Sequence, residues 1–249
     1  MFIDQINNGG GNVAYGYSLL SHLTDKTLTL PQQSLLISDD DRAFAESTLA
    51  EVAALREVSP DLSEDELARS IFGETFSGNP VTAKTLANFE NAQRFLIEEY
   101  DAGRNLGSNP TYIALISEIE PHPDPMRRFT GPQTIWVNQD SVSMAELTPA
   151  IAQDNGTAKI TGVDTSGAGG LVETVDAGDN TFNVSEQSHT GSIGIRQIPP
   201  GSTQPELIEG IGVIPDKRVD FTTRDLQTGE YPDLVANLKN TIRQSMRQL

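Results

Sequence analysis

A chain of 249 residues with 37% hydrophobic and 21% charged residues can bury a full core, as one large α/β domain or two small ones. Its formal net charge of -18, from 17 Lys+Arg against 35 Asp+Glu, opposes phosphate backbones and anionic lipid, so neither nucleic acid nor a membrane is an expected partner. Zero cysteines exclude disulfides, thiolate metal sites and a cysteine nucleophile, and no apolar run is long enough for a transmembrane helix.

Met1-Phe2-Ile3-Asp4-Gln5-Ile6 is a short apolar stretch leading into Asn7-Asn8-Gly9-Gly10-Gly11, without the basic and apolar regions of a secretory signal. Strand, glycine turn and helix in that order belong to the interior of an α/β domain, so the chain is expected to be the carboxy-terminal part of a longer architecture. Asn12 is placed to cap a helix to about Leu23, with Val13, Tyr17, Leu20 and Leu23 on one face. Residues 33–37 predict a buried strand. Ser38 and Asp39-Asp40-Asp41 then open a helix to about Val58, the acids being favoured by the helix dipole without any metal. Ser63-Glu64-Asp65-Glu66 has capping-box form and starts a helix to about Phe72, and a further helix runs from about Thr82 to Tyr100. Residues 39–100 therefore form a helical insertion. Gly103 to Pro132 is a loop-dominated connector with an apolar segment at Tyr112 to Ile116; His122, between Pro121 and Pro123, has the setting of a solvated loop residue.

The α/β pattern then resumes, with a strand at 134–137, a helix at 143–154 and a strand at 158–162. Segments at 171–175, 181–185 and 190–196 predict antiparallel hairpins, and Asp176 and Asp179 fit an Asx-rich turn that needs no calcium. Pro232 opens a last helix to about Met246. Two readings of Ser143 stand side by side. With Glu146 three residues on it has the form of a capping box; at the amino end of a helix that follows a strand it also has the setting of a nucleophile, where free N–H groups and the dipole stabilise an oxyanion.

Several separated segments, in order, carry a resemblance. They are Phe2 to Gly11, Val137 to Glu146, Gln153 to Gly162 and Asp164-Thr165-Ser166-Gly167-Ala168-Gly169-Gly170, supported by Thr190 to Arg196, Ile208 to Pro215 and Phe221 to Thr228. The sequence resembles the tail-specific (carboxy-terminal processing) serine peptidases, and within them a chlamydial protease-like subgroup. The resemblance implies a crotonase/ClpP-like spiral α/β core and a single catalytic-type domain over 1–249, with 39–100 inserted in it. It places the nucleophile on Ser143 and the oxyanion hole on main-chain N–H groups of Gly10 or Gly11 and of Met144.

Many members of the family use a Ser–Lys dyad, whose lysine position is occupied here by Ala168. The chlamydial subgroup uses Ser, His and Glu, with the glutamate on Glu209 and the histidine upstream of the strand with which this chain begins. His22, His122 and His189 match none of the family's catalytic positions. The implied activity is a serine endopeptidase acting on protein or peptide substrates, with no cofactor and no metal. It depends on a missing amino-terminal segment carrying the histidine, and the isolated chain is expected to be inactive. A secreted or extracytoplasmic place and a homodimer also belong to what the family allows. Two other classes remain: a non-catalytic peptide-binding or scaffold module of the same fold, and an acyl-CoA enzyme of similar fold, for which the acidic composition is a poor match to CoA phosphate. Residues 165–170 lack the Lys and Ser/Thr that a P-loop requires.

Overall fold

A computed structural model of the chain describes residues 1–34, 37–76, 79–104, 118–169, 172–176, 185–189, 193–195 and 207–247. In chain order its elements begin β1 (Phe2–Asp4), α1 (Val13–Ser21), β2 (Leu28–Thr29), β3 (Gln32–Ser34), α2 (Asp39–Val58), α3 (Glu64–Phe72), β4 (Thr75–Phe76), β5 (Asn79–Pro80) and α4 (Ala83–Asp101). There follow β6 (Glu118–Ile119), a 3-10 turn (Pro125–Arg127), β7 (Thr134–Val137), α5 (Met144–Asp154), β8 (Lys159–Gly162), β9 (Val172–Asp176), β10 (Ser185–His189) and β11 (Ile193–Ile195). The last are β12 (Lys217–Arg218), α6 (Thr223–Thr228) and α7 (Pro232–Arg247). Contacts divide the chain into two compact units, one of Met1–Thr29, Glu120–Gly169 and Arg196–Leu249, the other of Leu30–Ile119 and Gly170–Ile195.

The first unit is built on a four-stranded sheet in the order β1-β7-β8-β12, with every pairing parallel. Ile3 lies opposite Ile135, and Ile135 opposite Ile160, so one register line carries branched apolar residues across the sheet. Parallel neighbours need a crossover, and α5 supplies it between β7 and β8. Every residue of α5 from Met144 to Ala152 is buried, which makes it a core helix rather than an amphipathic surface one. Leu28, Ile135, Val137, Leu147, Ile151, Ile160, Ile208 and Val213 are the large, nearly inaccessible apolar side chains of this unit among the described residues.

In the second unit α2 and α4 pack along each other and α3 packs on α4. Val52, Leu67, Ala68, Val81 and Leu86 form its core, with Ile71, Phe72 and Phe76 against it. Ser38 caps α2 and Ser63 caps α3, each in a reciprocal capping box with the acid three residues on, Asp41 and Glu66. The acids 39–41 thus belong to a helix start, as the sequence implied. Arg56 of α2 joins three helices, bonding Glu64 of α3 at 2.8 Å and the buried Glu90 of α4 at 2.6 Å. β9 pairs antiparallel with β10, Asp176 opposite Ser185, and β11 pairs antiparallel with β3.

Of the strand anticipated at 181–185 only Ser185 is described, and it opens β10; 181–184, Asp179 and the apolar segment 112–116 lie outside the described residues. α6, closed by its own Thr222–Asp225 capping box, is an element that periodicity did not predict, being only six residues long. Among the described residues no helix is long and apolar enough to cross a membrane.

Candidate active site

β1, β7 and β8 run parallel and adjacent, so the loops after them leave the sheet at one edge, where functional residues of parallel α/β sheets gather. The loops after β1 and β7 are tied together by short polar groups. Asn7 N–H donates to Asn138 Oδ1 at 2.9 Å, and Asn138 Nδ2 donates back to Asn7 Oδ1 at 2.7 Å. Ser141 Oγ donates to Gln5 O at 2.8 Å, and Val142 N–H to Asn8 O at 3.2 Å. This zipper lays the glycine turn against Ser143. A Cβ on Gly10, whose φ is +90°, would lie 2.7 Å from Ser143 Cβ and 3.0 Å from Met144 N, so only glycine permits the approach. Gly16 on α1 does the same for the Met144 side chain, which would come within 2.3 Å of an added Cβ.

Ser143 precedes the first turn of α5 with φ 55° and ψ -128°, a conformation that costs a non-glycine residue energy and persists only where its surroundings impose it. Its N–H donates to Ala168 O at 2.9 Å, and its carbonyl accepts from Glu146 N and Leu147 N at 2.9 Å each. The half-buried hydroxyl makes no hydrogen bond among the described residues and does not cap the helix. The capping-box reading is therefore corrected. Glu146 turns away from Ser143, fully buried at 0% exposure, and accepts from Thr165 Oγ1, from Gly167 N–H at 2.6 Å and from Ala168 N–H at 2.7 Å.

Of the three N–H groups named from the sequence, that of Gly10 is engaged, donating to Asn8 Oδ1 at 3.0 Å. Those of Gly11 and Met144 make no hydrogen bond among the described residues, and Met144 N stands at the positive end of α5. Glu209 is half-buried in the loop before β12. That loop is laced to the turn after β8: Gly210 N–H donates to Gly167 O at 2.7 Å, Thr165 N–H to Val213 O at 3.2 Å, and Val213 N–H to Thr165 Oγ1 at 2.7 Å. Residues 165–168 thus touch the Ser143 elbow on one side and the Glu209 loop on the other. Glu209 is near enough to Glu146 for its charge to raise the Glu146 pKa further; burial is the main cause of that rise, and the three donors oppose it.

Two of the three histidines lie against each other. The His22 and His122 rings stack with centroids 4.2 Å apart, His22 Nδ1 lies 2.9 Å from Arg127 O, and Asp124 N–H donates to His122 Nδ1 at 3.1 Å. His22 ends α1 and follows Gly16 by six residues, about 9 Å further along the helix from the end that meets Met144. His189 lies on β10, opposite Val172. Sequence reasoning missed Glu146 and Asn8. The signal for Glu146 was a lone acid in a helix start otherwise apolar, Met144-Ala145-Glu146-Leu147, which requires the carboxylate to be buried. For Asn8, whose side chain fixes Gly10, the local sequence carried no signal beyond a turn.

The profile of peptidase family S41 matches residues 1–219. The chain belongs to peptidase family S41. This is a family of serine-type peptidases, in agreement with the resemblance read from the sequence. Among curated relatives, protein CPj1016/CpB1054 of Chlamydia pneumoniae is 32% identical over 248 residues, which are 100% of this chain and 38% of the relative. A protein of Chlamydia trachomatis serovar D is 30% identical over 98% of the chain and 38% of its own length. Among solved structures, mature CPAF, the chlamydial protease-like activity factor, superposes with a TM-score of 0.83 at 28% identity, covering 99% of this chain and 44% of that one. Mature CPAF in complex with lactacystin gives 0.82 at 28% identity over 100% of this chain and 44% of that one. This S41 chain therefore has the α/β fold of those peptidases and spans well under half the length of the relatives it matches.

Proposed function

We propose that the chain is the Ser143-bearing part of a serine endopeptidase, and that the general base is a histidine supplied by a segment outside this chain. The observation that carries the reading is the Ser143 elbow: a strained backbone, a hydroxyl with no partner among the described residues, and the open Met144 and Gly11 N–H groups beside it. A free serine hydroxyl is a poor nucleophile at neutral pH, so a base is required. His22 and His122 are engaged with their own loop, and Ala168 offers no amine.

In this reading an extended peptide presents its carbonyl carbon to Ser143 Oγ. As the new C–O bond forms, the hydroxyl proton passes to the imidazole, and the carbonyl oxygen takes on negative charge between the N–H groups of Met144 and Gly11. The imidazolium returns that proton to the departing amine, leaving an acyl-enzyme on Ser143; water deprotonated by the same imidazole then releases the acid. Glu209 orients the imidazole and stabilises its charged form. Substrates are proteins or peptides, and an extracytoplasmic place of action is part of the same proposal.

The test is turnover of a fluorogenic peptide library by the chain joined to its preceding segment. Turnover that disappears in Ser143→Ala supports the reading; turnover that survives the substitution ends it. The position of the histidines favours one second reading, a peptide-binding module without catalysis, and this would appear as peptide binding with no turnover in the joined protein.

A further inference from the structure

Glu146 is the one fully buried acid of the first turn of α5, in a helix whose neighbours from Met144 to Ala152 are all inaccessible. A carboxylate taken out of water is expensive unless paired, yet among the described residues no Lys, Arg or His meets it. What meets it are three donors from one turn: the Thr165 hydroxyl and Gly167 N–H on Oε1, and Ala168 N–H on Oε2. A side chain there only for packing would be apolar, and would leave these donors orphaned. A glutamine could not replace the acid either, because turning one oxygen into an NH2 group sets a donor against a donor.

The turn that Glu146 holds has two further attachments. Ala168 O receives the Ser143 N–H at 2.9 Å, and that bond helps to keep Ser143 in its strained φ. Gly167 O receives the Gly210 N–H at 2.7 Å, next to Glu209, while Thr165 Oγ1 receives Val213 N–H at 2.7 Å. We propose that Glu146 is a positioning residue: by fixing the amides of Gly167 and Ala168 it sets the Ser143 elbow and its separation from Glu209. The proposal rests on the reading of Ser143 as the nucleophile and adds to it the group that holds the nucleophile in place.

The experiment measures fluorophosphonate inactivation, resolved into kinact and KI, for the chain joined to its His-bearing segment, together with thermal melts and the amide resonances of Ser143, Gly167 and Ala168. In Glu146→Gln the loss of one acceptor lets the turn shift, and a misplacement on the scale of an ångström lowers kinact by about 100-fold. KI stays within about threefold, since no substrate contact is lost, and the Ser143 amide resonance moves along with those of Gly167 and Ala168. The melting temperature holds, because the lost hydrogen bond is offset by no longer burying a charge. Unchanged kinact, a loss that follows a fall in melting temperature, or a Ser143 resonance that stays put would each overturn the proposal. If Glu146→Gln does not fold, Glu146→Asp decides. It keeps the charge but is one methylene short of the two main-chain donors of Gly167 and Ala168, so kinact should fall by about 100-fold and the Ser143, Gly167 and Ala168 resonances should move; unchanged kinact or unmoved resonances overturn the proposal. Wild-type protein that is never labelled at Ser143 contradicts the nucleophile assignment instead, and the resonances still report whether Glu146 governs the elbow.

Discussion

Replacing Gly10 with alanine tests the closest contact in the proposed site. The added Cβ would stand 2.7 Å from Ser143 Cβ, 2.7 Å from Val142 O and 3.0 Å from Met144 N, at a backbone φ of +90°. An L-residue in that region costs about 1–2 kcal/mol. At roughly 2–4 °C per kcal/mol for a chain of this size, the melting temperature falls by about 2–8 °C. Restoring ordinary contact distances pushes the turn and the elbow apart by most of an ångström, and a shift on that scale at a reacting centre costs about 100-fold in rate. The assay is the rate of fluorophosphonate labelling in the joined protein, with a thermal melt beside it. Gly9→Ala is the control, since a Cβ there meets nothing within 4 Å and the site should label at close to the wild-type rate. Wild-type labelling in Gly10→Ala, or an equal loss in Gly9→Ala, would refute the claim that the glycine turn abuts the nucleophile.

Glu209→Gln should slow acylation by about 100-fold or more with the melting temperature unchanged, as for loss of a triad carboxylate; unaltered kinact removes Glu209 from the proposed triad. In the second unit, Arg56→Ala leaves the buried Glu90 with only Arg94, 3.6 Å away, and should cost roughly 1–2 kcal/mol in denaturant unfolding; no change would make the bridge energetically idle. Arg56 is also the first cause holding the Glu90 carboxyl below its ordinary value of 4.5. A depressed acid stabilises the fold above that ordinary value and loses the contribution as pH falls through the depressed one. The stability gap between wild type and Arg56→Ala should therefore narrow as pH falls below the ordinary value of 4.5, and a constant gap would contradict the pairing.

Helix starts were legible because caps are local: Asn12, Ser38 and Ser63 each accept the N–H bond that their sequence context announces. The same logic misled at Ser143. The spacing of a hydroxyl and an acid three residues on occurs at Ser38–Asp41, Ser63–Glu66 and Thr222–Asp225, where it makes capping boxes, and at Ser143–Glu146, where it makes none. Burial of the acid alone does not separate the last case, since Asp225 is as buried as Glu146 and still closes its box. What separates it is that the whole helix from Met144 to Ala152 is inside and Ser143 has a positive φ, so the acid takes main-chain donors from a distant turn instead. That donor turn is more than 20 residues away, and the Glu209 loop reaches it only through Gly210–Gly167 and Val213–Thr165 contacts. Such long-range hydrogen bonds leave no periodicity. The core strands were legible from the apolar run Thr134–Val137 and from the strand-helix-strand order that continues to 158–162, while the two-residue strands β2, β4, β5, β6 and β12 carry too few residues for any pattern.

The account turns on one side chain, and the most direct measurement is where a fluorophosphonate attaches. Peptide mass mapping of the joined protein should find a single adduct on the peptide containing Ser143, lost in Ser143→Ala. An adduct on another serine, or one of equal yield in Ser143→Ala, would contradict it.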